Sequence, residues 1–145
     1  MFAPCATGAI LDEETIAQLQ TAIVCGAANN QLADADRDDQ ALHDRGILYV
    51  PDFLVNRMGI VNCANEQYGY VAQDDSIERH LSRDWEQSVF QMTKKVLKRS
   101  KELGETPGIS AQKIAEELSL KNHPLWGHRG QKIIDGLVED NWHQG

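Results

Sequence analysis

Two adjacent side-chain amides, Asn29 and Asn30, stand in the stretch 26–32 (GAANNQL), directly after the apolar run 22–25. A side-chain amide offers both a hydrogen-bond donor and an acceptor, so this pair suits a flat polar ligand that carries both kinds of group. Asparagine is also common in ordinary turns because it tolerates left-handed backbone. Taken alone, the two residues favour a structural turn over ligand contact.

Other residues with reactive side chains show weaker patterns. The three cysteines, Cys5, Cys25 and Cys63, have no Cys-x-x-Cys spacing, and we expect them to be small packing residues in a reducing cytoplasm. His123 and His128 lie in the stretch HPLWGHRG without a carboxylate or cysteine companion, which favours a structural turn over a metal site. The sequence therefore predicts no metal centre.

Composition narrows the class of protein. The chain has 145 residues, a formal net charge of −8 and a pI of about 5.0. This acidity disfavours nucleic acid as a partner, and no apolar run approaches the ~20 residues that cross a bilayer. We expect one domain of ordinary size in a cytoplasmic protein, with no membrane or nucleic-acid partner.

The amides must be positioned by the elements on either side of them. The apolar runs 22–25 and 47–50 lack alternation, which is typical of strands covered on both faces. An acidic loop (33–39) and a short helix (40–45) ended by Gly46 are predicted between them. Strand, helical crossover and strand form a right-handed βαβ unit with a parallel sheet. A further helix is predicted after Asp12, with Asp12 as its cap and Leu11 packed on Ile16.

The second half of the chain is predicted to be all helix. Helices are expected at 56–70, at 75–103 with Asp75 as cap and Gly104 at its end, at 110–120 with Ser110 as cap, and at 131–141. The basic run 94–101 complements the dipole at a helix end and is expected to be solvated. The fold class is therefore α/β: a partial Rossmann-like (doubly wound parallel sheet) segment followed by an all-helical C-terminal tail.

Two parallel strands are too few for an independently stable sheet, since parallel sheets need both faces covered. Residues 1–8 are predicted to be a loop entered from an element that the chain lacks. We therefore expect a portion of a larger protein, which would be marginally stable or self-associating by itself.

Four blocks of sequence carry a family resemblance. They are APCATGAIL (3–11), GAANNQL (26–32), LHDRGILYVPDFLVN (42–56) and GIVNCANEQYGY (59–70). In order and spacing they resemble the C-terminal, cofactor-binding domain of the glutamate/leucine/phenylalanine/valine dehydrogenases, with most similarity to the leucine and phenylalanine members. The resemblance implies residues 1–70 as the C-terminal part of a dinucleotide-binding domain and 71–145 as a helical C-terminal segment. It also implies an NAD-dependent oxidoreductase that converts an L-amino acid to a 2-oxo acid and ammonia, reversibly, in a homo-oligomer.

The resemblance also implies which residues contact the cofactor. Ala28, Asn29 and Asn30 would lie beside the nicotinamide ribose and carboxamide, and the loop with Cys5 and Ala6 would approach the same half of NAD. The alternative for the two asparagines is a turn without ligand contact.

A second set of residues would face the amino acid substrate. Asn56 would face both nicotinamide and substrate, although the family's Asn-Ala-Gly-Gly motif is Asn-Arg-Met-Gly in this chain. Ile60 and Cys63, on one helix face, match positions that line the substrate side-chain pocket. The alternatives are an N-cap role for Asn56 and helix packing for Ile60 and Cys63.

Several parts of a complete dehydrogenase are missing from the sequence. It contains no Gly-x-Gly-x-x-Gly, and the family's catalytic lysine and aspartate belong to the N-terminal domain, so no residue here is assigned a catalytic role. We expect a C-terminal portion that is inactive without the missing N-terminal domain or a chain that supplies it. The alternative is a non-catalytic assembly or binding module, retained for a helical tail (75–142) that packs on a partner through Trp85, Val89 and Met92.

Overall fold

The computed structural model describes residues 1–66 and 74–121, together with Asp135, Gly136, Val138 and Glu139. The chain divides into two compact units, Met1–Gln112 and Lys113–Gly145. The described part is mostly helical, with one small sheet of two parallel strands. In the second unit the described residues are the end of one helix, the two residues after it, and four helical residues between 135 and 139.

Helix α1 (Glu13–Gln18) begins at the predicted cap. The backbone N–H of Thr15 donates to Asp12 Oδ1 at 2.8 Å, and the N–H of Asp12 donates to Thr15 Oγ1 at 2.9 Å. This reciprocal pair satisfies two backbone donors at the helix start. Leu11 and Ile16 are both buried, as the predicted apolar contact across the cap requires.

The sheet contains β1 (Ile23–Val24) and β2 (Leu48–Tyr49), which run parallel as predicted. Both strands are shorter than the apolar runs that predicted them. Phe2 adds a parallel bridge to Val24: its N–H donates to the Ile23 carbonyl at 2.9 Å, and its carbonyl accepts from the Cys25 N–H at 3.0 Å. The prediction that residues 1–8 are entirely loop is therefore wrong at Phe2.

One face of the sheet forms the core and the other is open. Val24 and Tyr49 are buried in an apolar cluster completed by Leu11, Ile16, Leu42 and Ile47. Ile23 and Leu48, which are paired in register, are 38% and 40% exposed. The expectation that both faces of these strands are covered is not met within the described chain.

Helix α2 (Ala35–Asp44) includes most of the segment predicted as an acidic loop. The Asp34 side chain accepts hydrogen bonds from the backbone N–H groups of Asp36 (3.2 Å) and Arg37 (2.9 Å). Carboxylates stabilise a helix N-terminus, because they satisfy its free donors and oppose its dipole. The acidic run therefore begins the helix, which ends before Gly46, a glycine with φ of 68°.

The helix predicted over 56–70 is two helices in its described part, α3 (Asp52–Val55) and α4 (Met58–Glu66). Asn56 caps the C-terminus of α3, where its N–H donates to the Asp52 carbonyl at 2.9 Å. Asn56 therefore does not serve as an N-cap, which was the alternative role predicted for it. Residues 67–70 lie outside the described residues.

The long helix predicted over 75–103 is broken into α5 (Asp75–Leu81) and α6 (Val89–Leu103). Serines make the break, because Ser82 Oγ accepts from the Trp85 N–H and Ser88 Oγ accepts from the Gln91 N–H, each at 3.2 Å. Leu81, at the end of α5, is 61% exposed, whereas Val96 in α6 is buried.

Two predicted caps are displaced and one is confirmed. Asp74, rather than Asp75, accepts from the Ile77 N–H at 3.3 Å. Helix α7 (Pro107–Ser119) begins earlier than predicted, with Thr106 Oγ1 accepting from the Ile109 N–H, so Ser110 is inside the helix. Gly104 ends α6, as predicted, and adopts the left-handed conformation. The histidine-containing stretch 123–130 and most of the predicted helix 131–141 lie outside the described residues.

Candidate functional site

Backbone hydrogen bonds connect the loop that contains Pro4 with the turn that contains the two asparagines. The Ala28 N–H donates to the Pro4 carbonyl at 3.0 Å, and the Ala9 N–H donates to the Asn30 carbonyl at 2.7 Å. Gly26 permits this approach, since a Cβ atom there would lie 2.1 Å from the Pro4 carbonyl oxygen. The loop with Cys5 and Ala6 is therefore held against the turn that contains the asparagines.

A buried glutamine that the sequence analysis missed shapes this turn from inside. Gln31 is fully buried, and its Nε2 donates to the carbonyls of Gly26 (2.8 Å) and Ala28 (2.9 Å). These two bonds satisfy carbonyl oxygens that a regular strand would have paired with a neighbour. The position of Gln31 directly after the asparagines is the one sequence signal that could have identified it.

Asp52 is a second residue that the sequence analysis missed. Asn30 has a positive φ of 51°, and its backbone N–H donates to Asp52 Oδ2 at 2.7 Å. The other oxygen, Oδ1, accepts from the Tyr49 hydroxyl at 3.3 Å. Burial, followed by the nearby Asp52 charge, raises the pKa of Tyr49, so the hydroxyl remains a donor. Asp52 thus fastens the asparagine turn to the end of β2.

Asn29 and Asn56, which are 27 residues apart in sequence, meet through their side chains. Asn56 Nδ2 donates to Asn29 Oδ1 at 2.6 Å. This contact leaves the Asn29 amide nitrogen as a donor and the Asn56 carbonyl oxygen as an acceptor, neither with another partner in the described chain. The pair presents one donor and one acceptor to whatever lies beside it.

A cleft of about 340 Å³ lies beside this pair. Its wall includes Asn29, Asn30, Asp52, Phe53, Asn56 and Ile60. The structure therefore brings together four residues that the resemblance assigned to cofactor or substrate. Ile60, at the mouth, is 78% exposed.

The remaining predicted site residues lie near the cleft but do not line it. Cys5 and Ala6 are exposed on the adjoining loop, and Ala28 is buried beneath the turn. Cys63 is exposed on α4, one turn beyond Ile60. The expectation that all three cysteines are packing residues is wrong for Cys5 and Cys63. Burial raises the pKa of the half-buried Cys25 thiol.

Arg57, where the family motif has a small residue, points away from the cleft. Its guanidinium Nη2 donates to the Gln87 carbonyl at the start of α6. Desolvation lowers the pKa of the half-buried Arg57. Arg57 is therefore not part of the wall of the cleft beside Asn56.

The chemistry available in the cleft is recognition of a planar polar group. Among the described residues no lysine lines it, and its carboxylate, Asp52, is engaged by Asn30 and Tyr49. The described residues also contain no group of three or more side chains placed to hold a metal ion, and none of their helices has the length and apolar character to cross a membrane. The described lining of the cleft can orient a ligand, and its one carboxylate is already engaged.

Comparison with known proteins gives one consistent result. The Glutamate/Leucine/Phenylalanine/Valine dehydrogenase family matches residues 1–121. Leucine dehydrogenase of Bacillus cereus is 41% identical over 124 residues, covering 84% of this chain and 32% of that protein. Valine dehydrogenase of Streptomyces coelicolor is 37% identical over 124 residues, covering 86% of this chain and 32% of that protein.

A solved structure agrees with the sequence relatives. The crystal structure of L-tryptophan dehydrogenase from Nostoc punctiforme matches with a TM-score of 0.64 and 38% identity. The match covers 80% of this chain and 33% of that one. The chain thus spans about a third of the length of the relatives it matches.

Proposed function

The chain belongs to the glutamate/leucine/phenylalanine/valine dehydrogenase family, and we propose that it is the C-terminal part of the NAD-binding domain of an L-amino acid dehydrogenase. In the complete protein, the reaction is the reversible oxidative deamination of an L-amino acid to a 2-oxo acid and ammonia. Residues 1–70 would complete the dinucleotide-binding domain, and 71–145 would form its helical C-terminal segment.

The contact between Asn29 and Asn56 is the observation that carries this proposal. A nicotinamide carboxamide has a carbonyl acceptor and an NH₂ donor, which match the donor left free on Asn29 and the acceptor left free on Asn56. The cleft of about 340 Å³ can admit a nicotinamide ring, but not a whole dinucleotide. The residues present therefore fit the nicotinamide half of NAD, and the pyrophosphate would be bound elsewhere in the complete protein.

When bound, NAD would supply the acceptor for the hydride of the substrate carbon. The residues of this chain would orient the carboxamide through Asn29 and Asn56, hold the Asn30 turn through Asp52, and keep Cys5 and Ala6 beside the ribose. The lysine and aspartate that handle protons in the family would come from the N-terminal domain.

The substrate side chain would lie against α4. Ile60 offers an apolar surface at the cleft, with Cys63 one turn further along the helix. Neither residue supplies a charge to a second carboxylate, whose burial without a cationic partner costs several kcal/mol. This wall favours aliphatic amino acids.

The open face of the sheet supports the proposal that the domain is completed by further parts of a longer protein. Ile23 and Leu48 expose a continuous apolar surface across both strands, although parallel strands are normally covered on both faces. In a doubly wound domain that face would be covered by helices preceding this segment, and further parallel strands would continue the sheet beyond Phe2.

Two measurements test the proposal. The purified chain alone should neither reduce NAD with leucine, valine, phenylalanine or glutamate nor bind it tightly, since the phosphate turn and the catalytic pair are missing. Turnover by the isolated chain would overturn this. Reading the coding frame upstream should show a glycine-rich phosphate turn and a lysine-bearing domain, in frame or in a neighbouring gene.

The assembly-module alternative predicts neither of those upstream features. It places Trp85, Val89 and Met92 against a partner, and in the structure Trp85 packs edge-on against His80 of the same chain, with ring centroids 4.8 Å apart. Arg79 also lies 5.8 Å from its ring centroid.

A further inference from the structure

Among the described residues that line the cleft beside Asn29 and Asn56, one is aromatic, Phe53, and one is charged, Asp52. The proposed function assigns no ligand contact to either of them. Both belong to α3 and to the first compact unit. Because a nicotinamide ring loses its positive charge when it takes up a hydride, an aromatic ring and a carboxylate in one wall can act on the charge of that ring.

Phe53 offers an accessible aromatic ring to the cleft. The residue is 53% exposed, although phenylalanine is among the residues most often buried in folded proteins. It also lines a neighbouring cavity of about 560 Å³, so its ring borders both spaces. Phe53 precedes Asn56 by three residues, and both side chains line the cleft. The aromatic surface therefore lies beside one of the amides that would bind the nicotinamide carboxamide.

Asp52 adds a negative charge to the same wall. The groups that donate hydrogen bonds to its carboxylate are the Asn30 N–H and the Tyr49 hydroxyl, and both are neutral. Within the described chain Asp52 takes part in no ion pair, and no lysine or arginine is among the described residues that line the cleft. Its hydrogen bonds are therefore satisfied while its charge is not neutralised by a cation, so a positive ligand nearby is attracted to it.

The oxidised and reduced forms of a nicotinamide ring differ in charge and share the carboxamide. The oxidised ring is a pyridinium cation, and the reduced dihydropyridine ring is neutral. Asn29 and Asn56 bond to each other and leave a donor and an acceptor that suit the carboxamide of either form. An aromatic side chain attracts a cation through its quadrupole, and a carboxylate attracts it through its charge. Neither attraction acts to the same extent on a neutral ring.

We propose that Phe53 and Asp52 make this cleft selective for the cationic, oxidised form of the nicotinamide ring. The inference rests on the proposed function, which places the nicotinamide ring in the cleft. Asn29 and Asn56 recognise the carboxamide in both forms, whereas Phe53 and Asp52 distinguish the two forms by charge. The cleft thus favours the form of the cofactor that can accept a hydride and binds the neutral product ring more weakly.

Three small probes test the proposal on the purified chain. They are 1-methylnicotinamide, which is a pyridinium cation, its neutral dihydro form, and nicotinamide, which is neutral and aromatic; all three carry the same carboxamide. In NMR titrations the cation should bind roughly fivefold more tightly than either neutral probe, the size of a cation–π interaction at a partly exposed site. Equal affinities would overturn the charge selectivity alone. Failure of all three probes to bind would overturn the nicotinamide site and this inference together.

Matched variants assign the selectivity to these two residues. Phe53→Leu keeps an apolar side chain and removes the aromatic ring, and Asp52→Asn keeps an acceptor for the turn and removes the charge. Each should reduce the preference for the cation about twofold or more. Phe90→Leu and Asp84→Asn, which are exposed and outside the cleft, should leave it unchanged, and Asp84→Asn also controls for the net charge of the chain. A preference that is unchanged in Phe53→Leu or in a folded Asp52→Asn would overturn the proposal.

Discussion

At the scale of single residues, the geometry of the cleft depends on Asp52. Its two carboxylate oxygens bind Asn30, which has left-handed backbone, and Tyr49 at the end of β2. Asn30 thereby presents the neighbouring Asn29 to Asn56. Both carboxylate oxygens are thus engaged in holding the turn.

Replacing Asp52 with alanine should therefore loosen the turn. Asp52→Ala removes the acceptor of the Asn30 N–H, so the free energy of unfolding should fall by about 1–3 kcal/mol, as for other lost charge-assisted hydrogen bonds. Urea unfolding measures the loss, and amide hydrogen exchange at Asn30 should quicken. The exposed Asp84→Ala is the control. If both variants unfold at the same urea concentration, Asp52 does not hold the turn.

Asp39 gives a prediction on pH dependence. Burial raises its pKa; the Thr106 and Gly108 donors and His43 oppose this rise, whereas Asp36 adds to it. Tyr49 is also close enough to respond to the Asp39 charge. Because the folded state holds this proton more tightly than the unfolded state, Asp39 contributes stability at low pH that is lost as pH rises through the folded pKa.

The variant Asp39→Asn should not lose this stability as pH rises, because asparagine does not titrate. The Tm difference between Asp39→Asn and the parent chain should shift in favour of asparagine as pH rises from about 4 to about 7, across the range of a raised aspartate pKa. Thermal melts at several pH values, with Asp44→Asn as control, measure it. A Tm difference that stays constant with pH, or moves toward aspartate, would contradict the raised pKa.

At the scale of elements, the joined loops of the site require a glycine. A Cβ atom at position 26 would lie 2.1 Å from the Pro4 carbonyl oxygen, whereas at Gly59, in α4, nothing lies within 4 Å. Gly26→Ala should destabilise the chain by about 2 kcal/mol or more through this overlap. Gly59→Ala should instead stabilise it by about 0.5–1 kcal/mol, through helix propensity. Chemical denaturation of both variants measures the difference, and equal effects would show that the two loops are not in contact.

Local signals predicted some elements well and others poorly. The cap at Asp12, the parallel pairing and the left-handed Gly104 followed from chemistry confined to a few residues. The single helix predicted over 75–103 was wrong, because apolar periodicity continued through a segment where Ser82 and Ser88 bind backbone instead. The acidic run 33–39 was predicted as a loop, whereas the carboxylate of Asp34 caps the N-terminus of α2.

The site was only partly predictable for the same reason. Asn29, Asn56 and Ile60 were identified through the family resemblance and lie together in the cleft. Asp52 escaped prediction because its contact with Asn30 spans 22 residues. Such a tertiary contact leaves no local pattern in the sequence, and the aspartate after Pro51 resembles any residue at the start of a helix.

At the scale of the whole molecule, the open sheet face governs behaviour in solution. Ile23 and Leu48 expose apolar surface on the face opposite the core. We expect the isolated chain to self-associate through this face. The double variant Ile23→Thr, Leu48→Thr keeps residues that favour strands and should shift the chain toward monomer in sedimentation velocity. Leu120→Thr, which replaces another exposed leucine, is the control. A compact monomer formed by the parent chain would contradict this account.

We propose that this chain supplies the nicotinamide side of an amino acid dehydrogenase. The direct test is a chimera in which residues 1–121 replace the matching third of Bacillus cereus leucine dehydrogenase. The chimera should reduce NAD in the presence of leucine, and Asn56→Ala should lower its kcat/KM about tenfold or more, as for loss of a positioned hydrogen-bonding group. Arg57→Ala, whose side chain points away from the cleft, should retain most activity. A folded chimera that binds NAD but does not oxidise leucine, or whose kcat/KM is unaffected by Asn56→Ala, would contradict the claim.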